Sequence, residues 1–277
     1  MISNIKVSIG VPVFNGAKTL ENSLNTLINQ THCNIEIIIS DNNSSDDTFK
    51  ICSKYAKKDE RITLFKQNLT LAPVENFKFV LDHSFGEYFM WAADDDCWSK
   101  DFITENLKML LNNKNAVGSI GKVYFNDSKG NTFNAKGDFP ILGSKCERIK
   151  HFLSKPADNS RIYSLFKRNV IKDINFEDYK FHAADWLFTI LTLIKGEHLQ
   201  SENCEMYRSA PETDKYYENF NRDNSNHLSF GIPLLPLTLR FIKEIGIIDS
   251  TRYIKSLFKI NKFMYIHYKE KRKSQQC

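Results

Sequence analysis

The sequence predicts an α/β protein built on a Rossmann-like, mostly parallel sheet flanked by helices, and three observations carry that reading. Over the first 125 residues, short β-branched runs alternate with stretches whose apolar residues recur at helical spacing. Such alternation implies parallel strands joined by crossover helices. Next, Asn15, Asp41 and the run Asp94-Asp95-Asp96 each follow directly on a predicted strand. Ligands in these sheets bind beyond the carboxyl ends of the strands, so separate strands bring polar and acidic residues to one edge. Finally, 277 residues at 42% hydrophobic and 26% charged suffice for a sizeable core of ordinary globular composition.

Each element has its own signal. Val7, Ile9, Val11 and Val13 alternate along a first strand that ends at Phe14-Asn15, and Leu20, Leu24, Leu27 and Ile28 then keep helical spacing. Ile35 to Ile39 is a second strand, ending at Ser40-Asp41. Ser44 or Ser45 offers an N-cap to the next helix, which carries Phe49, Cys52 and Tyr55. Ile62 to Phe65 makes a third strand, followed by a helix from about Pro73, a residue tolerated in the first turn. The fourth strand is Tyr88 to Ala92, and its helix carries Phe102, Ile103, Leu107, Leu110 and Leu111. Val117 to Val123 makes a fifth strand. Residues 126–227 are less regular and rich in Asn, Asp and aromatics, while the remainder reads as helix interrupted at Pro233 and Pro236.

Composition removes several classes. The six cysteines are scattered with no CxxC pair, so they read as reduced thiols rather than a disulfide frame or a zinc site. No signal-like leader opens the sequence, and no apolar run approaches the length of about 18 residues that a membrane span needs. A cytoplasmic protein is expected. The phosphate-cradling patterns GxxxxGK[ST] and GxGxxG do not occur. The net charge of +5 is uneven: Arg240 to Cys277 holds 10 Lys and Arg against 3 Asp and Glu, a net +7, leaving −2 for the 239 residues before it.

The three aspartates need a chemical reason, because adjacent carboxylates repel and gain nothing from packing. Hard divalent cations prefer oxygen ligands, so Mg²⁺ or Mn²⁺ at the strand end is one reason; capping of the helix that starts near Lys100 is the other. A nucleotide bound here would need its phosphates neutralised without a Gly-rich loop, which a metal on the aspartates would do.

Taken together, these residues resemble glycosyltransferase family 2, of the GT-A fold, over roughly residues 5 to 210. Val11 to Asn15 resembles the family's opening strand, with Glu21 where an acid is usual. Asp41-Asn42-Asn43-Ser44-Ser45-Asp46-Asp47-Thr48 is similar to its D-D/N-G-S-x-D-x-T loop, and Asn68 to Asn76 to its N-x-G…N segment, without the Gly. Family members usually read D-x-D-D before the next helix; here Ala93 takes the first Asp position and Asp95 the second, with Asp94 and Asp96 flanking.

The resemblance implies a metal-dependent, inverting transfer of a sugar from a nucleotide-sugar, with UDP the expected donor nucleotide. Asp41 would accept a hydrogen bond from the nucleobase, with Pro12, Val13, Asn15, Asn43 and Asp94 also on the nucleotide. Asp95 and Asp96 would hold Mn²⁺ or Mg²⁺. Asp185, opening an apolar helix with Leu187, Ile190, Leu191 and Ile194, would be the general base toward the acceptor hydroxyl. His182, Arg161 and Arg208 are candidates for diphosphate or acceptor contacts. The expected organisation is a catalytic domain over 1–227, divided into a nucleotide-binding half (1–125) and an acceptor half (126–227), then a basic helical segment over 228–277. That segment interleaves Phe, Ile, Tyr and Leu with Lys and Arg, which suits a membrane surface through 240–273 as well as a helical cap or a dimer contact. The natural acceptor is a glycan or lipid-linked saccharide of bacterial surface polysaccharide (lipopolysaccharide or capsule), met at the cytoplasmic face of the inner membrane. A nucleotidyltransferase would share the sheet and the carboxylates, but Phe14-Asn15-Gly16-Ala17-Lys18 is a poor phosphate loop. A noncatalytic sugar-nucleotide binder is another reading. Nucleic acid is not an expected partner, since the first 239 residues are net acidic.

Overall fold

The computed structural model describes residues 2–174, 183–210 and 232–274. The chain runs β1 (Val7–Val13), α1 (Leu20–Ile28), β2 (Ile35–Asp41), α2 (Thr48–Ala56), β3 (Ile62–Lys66), α3 (Pro73–Asp82), β4 (Tyr88–Trp91), β5 (Cys97–Trp98) and α4 (Phe102–Asn112). It continues with β6 (Ala116–Asn126), β7 (Thr132–Asn134), α5 (Lys145–Ser154), β8 (Leu165–Lys167), α6 (Arg168–Ile171), α7 (Ala184–Lys195) and β9 (Glu197–Ser209). Three further helices are α8 (Leu235–Ile245), α9 (Ile247–Ser250) and α10 (Ile254–Ser274).

One sheet of 9 strands orders them β3-β2-β1-β4-β8-β6-β9-β5, with β7 on β6. The strands β1 to β4 are parallel, and β6 and β9 share their direction, because β8 lies antiparallel between β4 and β6. Every residue of β1 is buried, so helices must cover both faces, and two cores result. Val7, Ile9, Val11 and Val13 pack with Leu20, Leu24 and Leu27 of α1 and Phe102, Ile103, Leu107 and Leu110 of α4. On the other face Ile38, Phe89 and Trp91 meet Val80 and Leu81 of α3, Phe188 of α7, and Phe241, Leu257 and Ile260 of the C-terminal helices.

The sheet opens at its centre. Pairing of β1 with β4 ends at Gly10 and Trp91, apart from a last bond from Ala92 N to Gly10 O, whereas β1 follows β2 to Val13 and Asp41. Pro12 has no N–H to extend the ladder with β4. The chain after Trp91 therefore leaves the sheet, and Asp94 to Asp96 stand at the crevice this creates.

Two details depart from the sequence reading. The N-cap of α2 is Asp47, not Ser44 or Ser45, because Asn15 engages both serines: Asn15 N donates to Ser44 Oγ at 2.9 Å, and Ser45 N to Asn15 Oδ1 at 2.9 Å. The fifth predicted strand is longer, reaching Asn126, and β5 is an additional strand of 2 residues.

Candidate functional site

At the carboxyl ends of β1 and β2, two loops are tied to each other by polar side chains. Gly16 N donates to Thr48 Oγ1 at 2.9 Å and Ala17 N to Asp46 Oδ2 at 3.2 Å, in addition to the Asn15 bonds. Asn15 and Asn43 take positive φ values of 53° and 62°, a conformation that Asn tolerates. Non-glycine residues held in this region gather at functional sites, and Asn159 (48°) and Ala183 (64°) add two more beside Asp185.

Asp41 ends β2 with 0% exposure. Its Oδ1 accepts from Ser44 N at 3.3 Å, but Oδ2 is buried with no hydrogen-bond partner. A buried carboxylate oxygen is costly to leave unpaired, which marks this atom as a candidate acceptor. Asn42 and Asn76 brace it from behind: Asn42 Nδ2 donates to Leu71 O at 3.0 Å, and Asn76 Nδ2 to Ser40 O at 3.2 Å. Pro12 and Val13 are buried in the sheet, and Val13 O accepts from Asn42 N at 2.9 Å.

The aspartate run splits into three environments. Asp95 is exposed. Asp94 is half-buried beside Gly16, where a Cβ would run into Asp94 Oδ2, and it accepts a hydrogen bond from Thr19. Burial, with the Asp95 charge, pushes Asp94 up to about 6. Asp96 is 1% exposed, and its Oδ2 takes Arg208 Nε at 3.3 Å. Burial outweighs that guanidinium and raises Asp96 to about 7.

Arg208, near the end of β9, links this run to Asp185. Its guanidinium lies 4.7 Å from the Tyr163 ring and 5.3 Å from the Phe125 ring, and Nη1 donates to Ser160 Oγ at 3.0 Å. Arg208 and Tyr163 are also electrostatic neighbours of Asp185. Asp185 lies in the first turn of α7, and Asn159 Nδ2 donates to its Oδ2 at 2.8 Å. Burial pushes the Asp185 carboxyl up, while the Asn159 amide and the Trp186 N–H pull against it.

The predicted site residues therefore divide. Asn15, Asp41, Asn43 and Asp94 to Asp96 follow the carboxyl ends of β1, β2 and β4, with Pro12 and Val13 buried in β1, and Arg208 lies between Asp96 and Asp185. Arg161 is 1% exposed; its Nη2 donates to Phe139 O at 2.9 Å, while Nε and Nη1 are buried with no hydrogen-bond partner. Arg161 stands in a 3₁₀ turn, Ser160–Tyr163, just before β8. His182 lies outside the described residues. Residues not singled out from the sequence for a role are Thr48, Asp46, Asn159, Ser160 and Tyr163. Of these, Asp46 and Thr48 fall in the quoted loop pattern, whereas Asn159 had no signal beyond its Asp-Asn-Ser context.

Among the described residues, no group of 3 His, Cys, Asp or Glu side chains forms a ready ligand set for a metal. The donors still fit a hard cation of the Mg²⁺ kind, which is held by one or two carboxylates and by the phosphates of its ligand. Asp95 is the open carboxylate and Asp94 its neighbour, whereas Asp96 is engaged by Arg208.

Residues 8–174 match the family model described as Glycosyl transferase family 2. The GalNAc(5)-diNAcBac-PP-undecaprenol beta-1,3-glucosyltransferase of Campylobacter jejuni is 31% identical over 191 residues, 66% of this chain and 59% of the relative. Glycosyltransferase GlyA of Streptococcus pneumoniae is 28% identical over 165 residues, 59% of this chain and 22% of the relative. The chain thus spans less than two thirds of either protein. Among solved structures, S. aureus TarS in complex with UDP-GlcNAc aligns with a TM-score of 0.59 at 17% identity, covering 92% of this chain and 80% of that one. The mannosyltransferase PcManGT from Pyrobaculum calidifontis, in complex with GDP-Man and Mn²⁺, aligns with a TM-score of 0.58 at 15% identity, covering 95% and 73%. At these identities the likeness speaks for the fold, the GT-A type of mixed α/β sheet.

Proposed function

Because the chain belongs to glycosyl transferase family 2, we propose that it moves a sugar from a UDP-sugar to a glycan or lipid-linked saccharide acceptor, in the synthesis of bacterial surface polysaccharide. The observation that carries the nucleotide reading is Asp41 Oδ2, buried and unpartnered at the carboxyl end of β2; uracil N3–H is a donor of the right kind, as are thymine N3–H and guanine N1–H, so the choice of UDP among them rests on the family resemblance. Asp95, with Asp94, would hold Mn²⁺ or Mg²⁺, which supplies neutralisation of the charge that grows on the departing diphosphate. Arg208, held by Asp96, keeps a positive charge between the aspartates and Asp185.

Asp185 then takes the proton of the acceptor hydroxyl as its oxygen bonds to the anomeric carbon. The bond from that carbon to the diphosphate oxygen breaks as UDP leaves with the electron pair. Attack opposite the leaving group inverts the anomeric centre. The UDP-GlcNAc complex of TarS and the undecaprenol-linked acceptor in the name of the C. jejuni relative support the donor and acceptor classes.

Calorimetric titration with UDP, GDP and dTDP, with and without Mn²⁺, tests this. The expected result is UDP binding that requires Mn²⁺ and is lost in Asp95→Ala. Preference for GDP or dTDP would overturn the UDP reading, and no metal-dependent binding of any nucleotide would overturn the donor site.

A further inference from the structure

We propose that α9 and α10 present a docking face for an anionic lipid bilayer. On α10, Tyr253 just before it and Leu257, Ile260 and Met264 within it are buried, and this stripe seats the helix on α5. With about 100° between successive residues, Lys255, Lys259, Lys262 and Ile266 fall on the opposite side, flanked by Ile254 and Phe258, and all are exposed. Between residues 254 and 269 there are 4 lysines and no Asp or Glu.

The second observation is next to the first. Gly246 turns the chain at φ 84°, and Ile247 and Ile248 follow with 76% and 86% exposure. Two adjacent aliphatic side chains held in water at a tight turn are unfavourable unless something apolar receives them. Asp249 beside them is offset by Lys145 at 3.8 Å and Arg252 at 4.0 Å.

Exposed lysines within a few residues of a protruding aliphatic pair in the chain match a bilayer, whose phosphates take the charge and whose acyl boundary takes the isoleucines. A second copy across a two-fold axis would set these lysines against each other. No helix among the described residues is long and apolar enough to cross a membrane, so the contact is made along the surface. The use of this face, holding the crevice where a lipid-linked acceptor is presented, rests on the function proposed above; the contact itself does not.

Flotation of the full chain with vesicles tests it. Vesicles of equimolar phosphatidylcholine and phosphatidylglycerol are expected to bind, vesicles of phosphatidylcholine alone are not, and binding weakens with salt. Lys255→Gln/Lys259→Gln/Lys262→Gln should weaken binding by on the order of a hundredfold. Ile247→Asp/Ile248→Asp should weaken it roughly tenfold or more. Both variants alter exposed side chains, and circular dichroism checks their folding. Binding that ignores lipid charge, no binding, or binding unmoved by both variants would overturn the proposal. So would a dimer in sedimentation that the same variants dissociate. Nucleotide calorimetry on the same samples reads the donor site independently, so failure of either reading is seen separately.

Discussion

The Asn159 amide donates to Asp185 Oδ2 at 2.8 Å while its carbonyl oxygen accepts from Thr189 Oγ1 at 3.0 Å, so one side chain fixes the carboxylate to its own helix. Burial raises the Asp185 pKa, and the Asn159 N–H, which favours the ionised form, opposes that. A carboxylate with a raised pKa loses its base form earlier as pH falls. Asn159→Gly keeps the left-handed backbone and removes only the amide, so the pKa rises further. The acidic limb of kcat/KM should move to higher pH, with UDP affinity unchanged; an unmoved limb would leave Asn159 a purely structural role. Asp41→Asn turns the buried acceptor into an amide and should weaken UDP binding by roughly 10- to 100-fold in calorimetry. The places of Asp41 at a strand end and Asp185 at a helix start were legible in the sequence because acids at such ends stand out. Asn159 was not, since its role depends on a positive φ and on a partner 26 residues away.

The loops that follow β1 and β2 act as one element because Thr48 Oγ1 accepts from Gly16 N and Asn15 spans both serines. Thr48→Val keeps the shape of the side chain but leaves a buried N–H unpaired, a cost of about 1–3 kcal/mol. Much of that cost should appear as local opening. Hydrogen exchange should quicken in residues 15–17 and 43–46 relative to β1, and nucleotide affinity should fall with it. Exchange unchanged in these loops would show that the tie is not what orders them. The strands β1, β2 and β4 could be read as apolar runs because they are buried almost throughout. β5 and β8, with 2 and 3 residues, are too short to show a period, and their places are set by β9, β4 and β6. Insertion of antiparallel β8 beside β4 brings the turn Ser160–Tyr163 and Arg208 toward the aspartates, so the acceptor half of the site was the less legible half.

At the scale of the whole molecule, charge and core divide differently. The net +7 from residue 240 onward, against −2 for the rest, marks the C-terminal segment as electrostatically distinct. Its apolar residues do not follow that division: Phe241, Tyr253, Leu257, Ile260 and Met264 belong to the core that holds Trp91 and Phe188. The segment is therefore part of the fold on one face and free to meet a partner on the other. Neighbouring residues separate the two roles, since Leu257 is 5% exposed and Phe258 69%. Leu257→Ala removes buried methyl groups and should destabilise by about 2–5 kcal/mol, a large share of a typical total of about 5–15 kcal/mol. Phe258→Ala should leave the Tm nearly unchanged and weaken binding to anionic vesicles. Thermal unfolding and vesicle flotation on the pair give opposite patterns if the faces are distinct. A loss of Tm in both would mean that Phe258 is packed in solution, and the docking face would have to be reassigned to the Ile247-Ile248 turn and the lysines alone.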